Sequence, residues 1–202
     1  MKLFISTGAC SLSPHIALRE AGLPFTTELV DLRSKRTASG ADFVAINPKG
    51  YVPALQLDDG SLLTEGPAIV QYIADLVPAK ALAPAAGTLA RYRLAEWLNF
   101  ISSEVHKAYG PLFNPAASAD MKAAARAALA KRYAYIDAEL AGRDYLVGEH
   151  FTVADGYLFT VSNWAGHVDV PLAGFAALQA FQARVGARPM VQQALRDEGL
   201  LS

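Results

Sequence analysis

Residues 52–67 read Val52-Pro53-Ala54-Leu55-Gln56-Leu57-Asp58-Asp59-Gly60-Ser61-Leu62-Leu63-Thr64-Glu65-Gly66-Pro67. Two short apolar runs, Ala54 to Leu57 and Ser61 to Leu63, flank Asp58-Asp59-Gly60. An Asp-Gly pair so placed is a strong hairpin signal, because both residues accept the backbone conformations of tight turns. Gly66-Pro67 then opens a helix, proline lacking only an N–H that has no intrahelical partner at the first position. Pro78 ends it. The stretch therefore predicts strand, strand, helix.

Working back toward the N-terminus, Leu3-Phe4-Ile5 reads as a strand, Leu12 to Ala21 as a helix and Phe25 to Leu32 as a second strand, with a charged loop at Arg33 to Arg36 before Asn47-Pro48-Lys49-Gly50. The first part of the chain is thus β-α-β followed by β-β-α. Residues Pro78 to Gly87, rich in Ala and Pro, carry no amphipathic period and read as a linker. Beyond Thr88 only helical spacing appears: Arg91 to Lys107, Ala119 to Ala141, Val153 to Val168, Gly174 to Val185, and Met190 to Arg196. The alanine-rich stretch Lys122 to Lys131 belongs to a regular helix, alanine being the best helix former.

Two hundred and two residues suffice to bury a core without staples, and 52% apolar content without a run of about 18 apolar residues excludes a membrane-spanning helix. Eighteen basic against nineteen acidic residues, with no basic stripe, exclude a nucleic-acid partner. The apolar run after Met1-Lys2 ends too soon for a secretory signal and reads as a mature first strand. With a single cysteine and no export signal, a reducing cytoplasm is expected. There is no His/Cys cluster at metal spacing, no Gly-x-Ser-x-Gly elbow and no glycine-rich phosphate loop, so no metal, nucleotide or other cofactor is expected.

Cys10 falls where the first strand ends and the first helix begins, with Ser11 or Ser13 as N-cap. A helix start favours an anion and lowers a thiol pKa below its usual ~8.5, although a lone cysteine also serves as a small buried hydrophobe. Val52-Pro53 opens the third strand. A cis bond there would turn the Val52 backbone toward an extended peptide, while base frequencies favour trans. Glu65 and the backbone N–H of Gly66, at the start of a helix, suit the ammonium and carboxylate of an amino acid. On Arg91 to Lys107, Leu94, Trp97, Leu98, Ile101 and Val105 share an apolar face; Asn99, Ser103 and His106 share a polar stripe roughly 140° away at 100° per residue. Such a stripe faces water, or orients and activates a bound thiol through His106. Phe151-Thr152-Val153-Ala154-Asp155 reads as a structural capping box built on Thr152 and Asp155.

Gly8-Ala9-Cys10-Ser11-Leu12-Ser13-Pro14-His15, Asn47-Pro48-Lys49-Gly50-Tyr51-Val52-Pro53-Ala54-Leu55, Leu63-Thr64-Glu65-Gly66 and Phe151 to Asp155, in this order, resemble bacterial beta-class glutathione transferases over nearly the whole chain. The resemblance implies an α/β plus all-α fold: a thioredoxin-like, glutathione-binding N-terminal domain at residues 1–78, a linker at 79–87, and an all-helical C-terminal domain at 88–202. It further implies a homodimer, glutathione bound in the cleft between domains as co-substrate, and transfer to small hydrophobic electrophiles. By the family pattern Cys10 contacts the glutathione sulfur and can form a mixed disulfide with it, Val52 pairs with the cysteinyl backbone, and Pro53 is cis. Glu65 and Gly66 hold the γ-glutamyl end, Lys35 contacts the peptide, and Asn99, Ser103 and His106 reach in from the helical domain, with Glu104 and Lys107 as weaker candidates. The second pocket would draw on Tyr109, Phe113 and Trp164. Ile5 stands where beta-class members often carry tyrosine, which excludes a tyrosine-activated thiol there; Gly66, where other classes place serine, fits beta-class usage. Disulfide or peroxide chemistry through Cys10, and non-catalytic ligand binding, are the competing functions.

Overall fold

In the computed structural model of the protein, which describes residues 1–201, the run Leu3-Phe4-Ile5 lies in β1 (Lys2–Ile5) at the centre of a five-stranded sheet. Three consecutive buried side chains mean that both faces of β1 are covered, since successive residues point to opposite sides. After β1 comes α1 (Leu12–Ala21), ended by Gly22 in the left-handed conformation. It is the crossover that lets β2 (Thr26–Asp31) pair parallel to β1, Leu3 opposite Thr27.

Between the charged loop expected at Arg33 to Arg36 and Asn47, where no element was expected, lie two further elements, β3 (Arg36–Thr37), which begins on the last residue of that loop and runs antiparallel to β2, and the single helical turn α2 (Phe43–Ile46). The hairpin is β4 (Ala54–Gln56) and β5 (Leu62–Thr64), with Leu55 opposite Leu63; β4 also pairs antiparallel with β1. The strand order is β3-β2-β1-β4-β5. α3 (Gly66–Leu76) follows and packs on α1. Phe4, Val30, Phe43, Val52 and Ala54 form one buried cluster, in which the Phe4 and Phe43 rings lie 5.5 Å apart.

The second unit begins with α4 (Leu89–Phe100), whose first turn is capped by the Thr88 hydroxyl accepting from Arg91 N–H. The continuous helix expected from Arg91 to Lys107 is interrupted: residues Ile101–His106 form a π-turn and Lys107–Tyr109 a 3₁₀ turn, leading into the short α5 (Gly110–Phe113). α6 (Ala119–Leu140) is capped by Ser118. α7 (Val153–Ser162) is buried at every residue, as a helix apolar on all sides must be, and tightens into 3₁₀ turns over Asn163–His167 where a longer helix was expected. α8 (Ala176–Gly186) packs against α6 and α7.

The division of the chain differs from the expected one at its far end. Residues 84–187 form one unit, but α9 (Pro189–Asp197) belongs with residues 1–83. Its attachment is electrostatic as well as apolar. Arg188 grips Glu20 through Nε and Nη2 at 2.7 and 2.9 Å, and Arg19 meets Asp197 at 2.6 Å. The buried His15 places Nδ1 2.9 Å from Glu198 and Nε2 3.5 Å from Asp197. Among the described residues no helix is long and apolar enough to cross a membrane.

Candidate active site

In the sheet-bearing unit, β1 is followed by a turn, Ala9 N–H donating to Ser6 O at 2.9 Å, with Gly8 at φ +69° where a β-carbon would strain the backbone. This delivers Cys10 to the residue just before the N-cap of α1. Neither expected cap acts through its side chain. The Ser11 hydroxyl instead closes the turn, accepting from Ser6 N–H and donating to Ser6 O, and the buried Ser13 hydroxyl has no hydrogen-bond partner among the described residues. A second strut comes from Glu198, which accepts from Gly8 N–H at 2.9 Å while its other oxygen faces His15.

The half-buried Cys10 thiol lies 3.2 Å from Val52 O and donates to it. The Val52-Pro53 bond is cis, against the base frequency and in accord with the family resemblance. Asn47 supports this loop, its amide donating to Tyr51 O at 2.8 Å. Lys35, at φ +57°, donates to Gly50 O at 2.7 Å, one residue before Tyr51.

Glu65 has φ +70° and ψ 113°, a conformation only glycine adopts without strain. Its Oε1 accepts from Lys49 Nζ at 2.6 Å and from the Tyr51 hydroxyl at 2.8 Å, and Lys49 also donates to Thr64 Oγ1 at 3.0 Å. The bond to Glu65 raises the pKa of both Lys49 and Tyr51. A β-carbon on Gly66 would touch Pro53 Cγ at an ordinary 3.8 Å, so space alone would admit serine there. Cys10, Val52, Pro53, Glu65 and Gly66 thus converge on one cis-proline turn. Lys49 and Tyr51 belong with them and were not singled out from sequence; their only signal was a lysine and a tyrosine within the loop leading to that proline.

In the helical unit the expected polar stripe divides. Asn99 and Ser103 are exposed and bond back along the helix, Asn99 to Ala95 O and Ser103 to Asn99 O, both at 2.9 Å. Glu104 is held by Arg132 at 2.7 Å, and Lys107 is exposed. The π-turn sets His106 back around the axis, out of the solvent-facing line. Its Nδ1 lies 2.8 Å from the Tyr157 hydroxyl, and its ring is 4.8 Å from that of Trp164. Of the aromatic residues expected around the second pocket, Tyr109 and Trp164 are buried edge to face and Phe113 is exposed, its ring 5.7 Å from that of Trp164. Tyr109 and Tyr133 share a buried hydroxyl contact of 2.7 Å, and burial pushes the Tyr109 hydroxyl up to about 12.

Burial, followed by the neighbouring charge of Lys107, holds the His106 imidazole down at about 4, so it is neutral at pH 7. The unfolded chain, with an ordinary value near 6.5, binds a proton that the folded ring refuses. His106 therefore contributes stability that is complete above about 6.5 and is lost as pH falls toward 4. His106→Gln is expected to remove this loss of stability on acidification, so that the variant no longer weakens as pH falls, read by urea melts between pH 7 and 4. An unchanged slope would place the titration elsewhere.

A groove of about 880 Å³ bordered by Arg93, Trp97, Phe100, Tyr135 and Arg143 contains none of the site residues above. Among the described residues no cluster of histidine, cysteine and carboxylate could hold a metal ion.

Known proteins match both units. A family model described as "Glutathione S-transferase, N-terminal domain" matches residues 7–76, and one described as "Glutathione S-transferase, C-terminal domain" matches residues 100–189. The chain is 50% identical to glutathione S-transferase GstA of Escherichia coli O157:H7, over 99% of this chain and 100% of that one. Among solved structures it is similar to BphK, described as a bacterial GST in a ternary complex, at 60% identity and a TM-score of 0.98 over 99% of this chain and 100% of that one. It is also similar to the bacterial beta-class glutathione S-transferase of Sphingomonas chungbukensis, at 49% identity and a TM-score of 0.97 over both full lengths.

Proposed function

The chain belongs to the glutathione S-transferase family, in its bacterial beta class, and on that premise we propose that it conjugates glutathione to small hydrophobic electrophiles. One observation carries this reading: around the cis Val52-Pro53 turn, Val52 holds the Cys10 thiol and Tyr51 holds the Glu65 carboxylate. An extended peptide laid along that turn meets a backbone pairing edge, a sulfur and an anion in succession. The cysteinyl backbone pairs with Val52, the γ-glutamyl end lies at Glu65 and Gly66, Lys35 contacts the peptide, and Cys10 stands beside the glutathione sulfur.

In the reaction the glutathione thiol gives up its proton and the sulfur electron pair forms a bond to the electrophilic carbon, the leaving group departing with the old bonding pair. Asn99, Ser103, Glu104, His106 and Lys107 are the contributors we assign to the helical unit. A ring that protonates only near 4 is a weak base at pH 7, so His106 serves to orient by hydrogen bonding rather than to remove the thiol proton. The aromatic group of Tyr109, Phe113 and Trp164 supplies apolar surface for the acceptor. Pairing of two copies and a cytoplasmic setting complete the reading, since a reduced thiol peptide is the co-substrate.

With glutathione and an aryl halide such as 1-chloro-2,4-dinitrobenzene, steady-state conjugation above the uncatalysed rate is expected. No turnover across a broad electrophile panel, with glutathione demonstrably bound, would defeat the reading. The half-buried Cys10 thiol at Val52 O supports a second reaction of the same site. Its thiolate attacks glutathione disulfide, forming a Cys10–glutathione disulfide and releasing reduced glutathione, so that electrons and protons balance. Mass spectrometry after treatment with glutathione disulfide should show one adduct on Cys10, and its absence would remove this reaction.

A further inference from the structure

Lys49 is exposed and long, yet it is fixed at both Glu65 Oε1 and Thr64 Oγ1, at 2.6 and 3.0 Å. An exposed ion pair adds little to stability, so the fixation is not explained by folding. Nor is the carboxylate's position left to chance. Glu65 is held at φ +70° by its backbone and by Tyr51 from a second direction. The result is a cation and an anion in contact, presented at the start of α3.

An α-amino acid carries the complementary pair, ammonium and carboxylate, on a single carbon. Laid antiparallel to the Lys49–Glu65 pair, it sets its ammonium on Glu65 and its carboxylate on Lys49, each charge gaining an opposite neighbour while the original pair stays in contact. We propose that Lys49 is a specificity-determining residue that reads the free α-carboxylate of the γ-glutamyl end, so that Lys49 and Glu65 together select a zwitterion. The proposal rests on the glutathione reading above and deepens it. Lys49 remains charged throughout the working range, since Glu65 raises its pKa further.

The test is calorimetric titration of the wild type, Lys49→Met and Lys49→Arg with glutathione and with 4-aminobutyryl-Cys-Gly, which lacks only the γ-glutamyl α-carboxylate. Lys49→Met should weaken glutathione by about tenfold, the usual scale of one charge-assisted hydrogen bond at a wet site, and leave the carboxylate-free analogue unchanged. Lys49→Arg should restore most of the glutathione affinity. Three outcomes would overturn the proposal: equal weakening of both ligands, no change in either, or tighter glutathione binding by Lys49→Met, which would make Lys49 a competitor for Glu65. Failure of the wild type to bind glutathione at all would instead overturn the functional reading beneath it.

Discussion

Asp155→Ala is expected to lower the melting temperature of the protein by roughly 6–12 °C. Asp155 is fully buried and its carboxylate accepts three hydrogen bonds, from Leu146 N–H at 2.8 Å, Thr152 N–H at 2.7 Å and the Thr152 hydroxyl at 2.8 Å. Alanine strands these donors at the start of α7, the helix buried on every side, at a cost of about 3 kcal/mol. A shift below 2 °C in a calorimetric scan would show that water or a neighbour replaces the carboxylate.

The same residue shapes the acid limb of stability. Burial raises the Asp155 carboxyl to about 6, outweighing the hydrogen bonds that lower it. A raised folded value means that the protonated form is favoured by folding, so its contribution is full below about 4 and is lost as pH rises through 6. His106 runs the opposite way over nearly the same window. The two slopes offset one another, so the wild type should be flatter between pH 4 and 6 than either single variant. Asp155→Ala should lose stability on acidification through that range, and His106→Gln should gain it.

Glu65→Gly should weaken glutathione binding by about 30-fold while raising the melting temperature by about 2–6 °C. Binding falls because the ammonium of the γ-glutamyl end loses its anion. Stability rises because glycine occupies φ +70° without the roughly 1–2 kcal/mol that a side chain costs there, and the exposed contacts given up were worth little. Glu65→Gln separates the effects: it keeps the strained backbone and loses the charge, so affinity should fall with no thermal gain. Equal melting temperatures for the two variants would show that the backbone is unstrained, and undiminished affinity in both would remove Glu65 from the site.

The elements legible in the sequence are those whose cause is local. Asp59-Gly60 sets the β4–β5 turn, Pro67 opens α3, and the capping sequence at Thr152 opens α7. β3 and α2 escaped because two and four residues are too few to show a period. The π-turn escaped for a different reason: the helical reading assumes 100° per residue, and His106 lies where that assumption fails. The place of α9 depends on Arg188 meeting Glu20 and Glu198 meeting His15, pairings that no window of sequence contains. Cys10 and Glu65 were singled out as candidates because a helix start and an acidic N-terminus have chemical meaning in one dimension, and the family resemblance then chose between their structural and functional readings. Lys49 was not, since its meaning comes from folding back across fifteen residues onto Thr64 and sixteen onto Glu65.

The attachment of α9 also sets an order of events during synthesis. The sheet-bearing unit is interrupted, and residues 84–187 are translated before the segment that completes it. At synthesis rates of about 5–20 residues per second, the helical unit has several seconds in which to fold while its predecessor still lacks a part. Throughout that interval Gly8 N–H has no Glu198 to meet, and His15 is without its carboxylates. The turn that presents Cys10 is therefore finished by a segment made after the whole helical unit, and the sheet-bearing unit reaches its competent state once Glu198 has emerged rather than when its first eighty residues do.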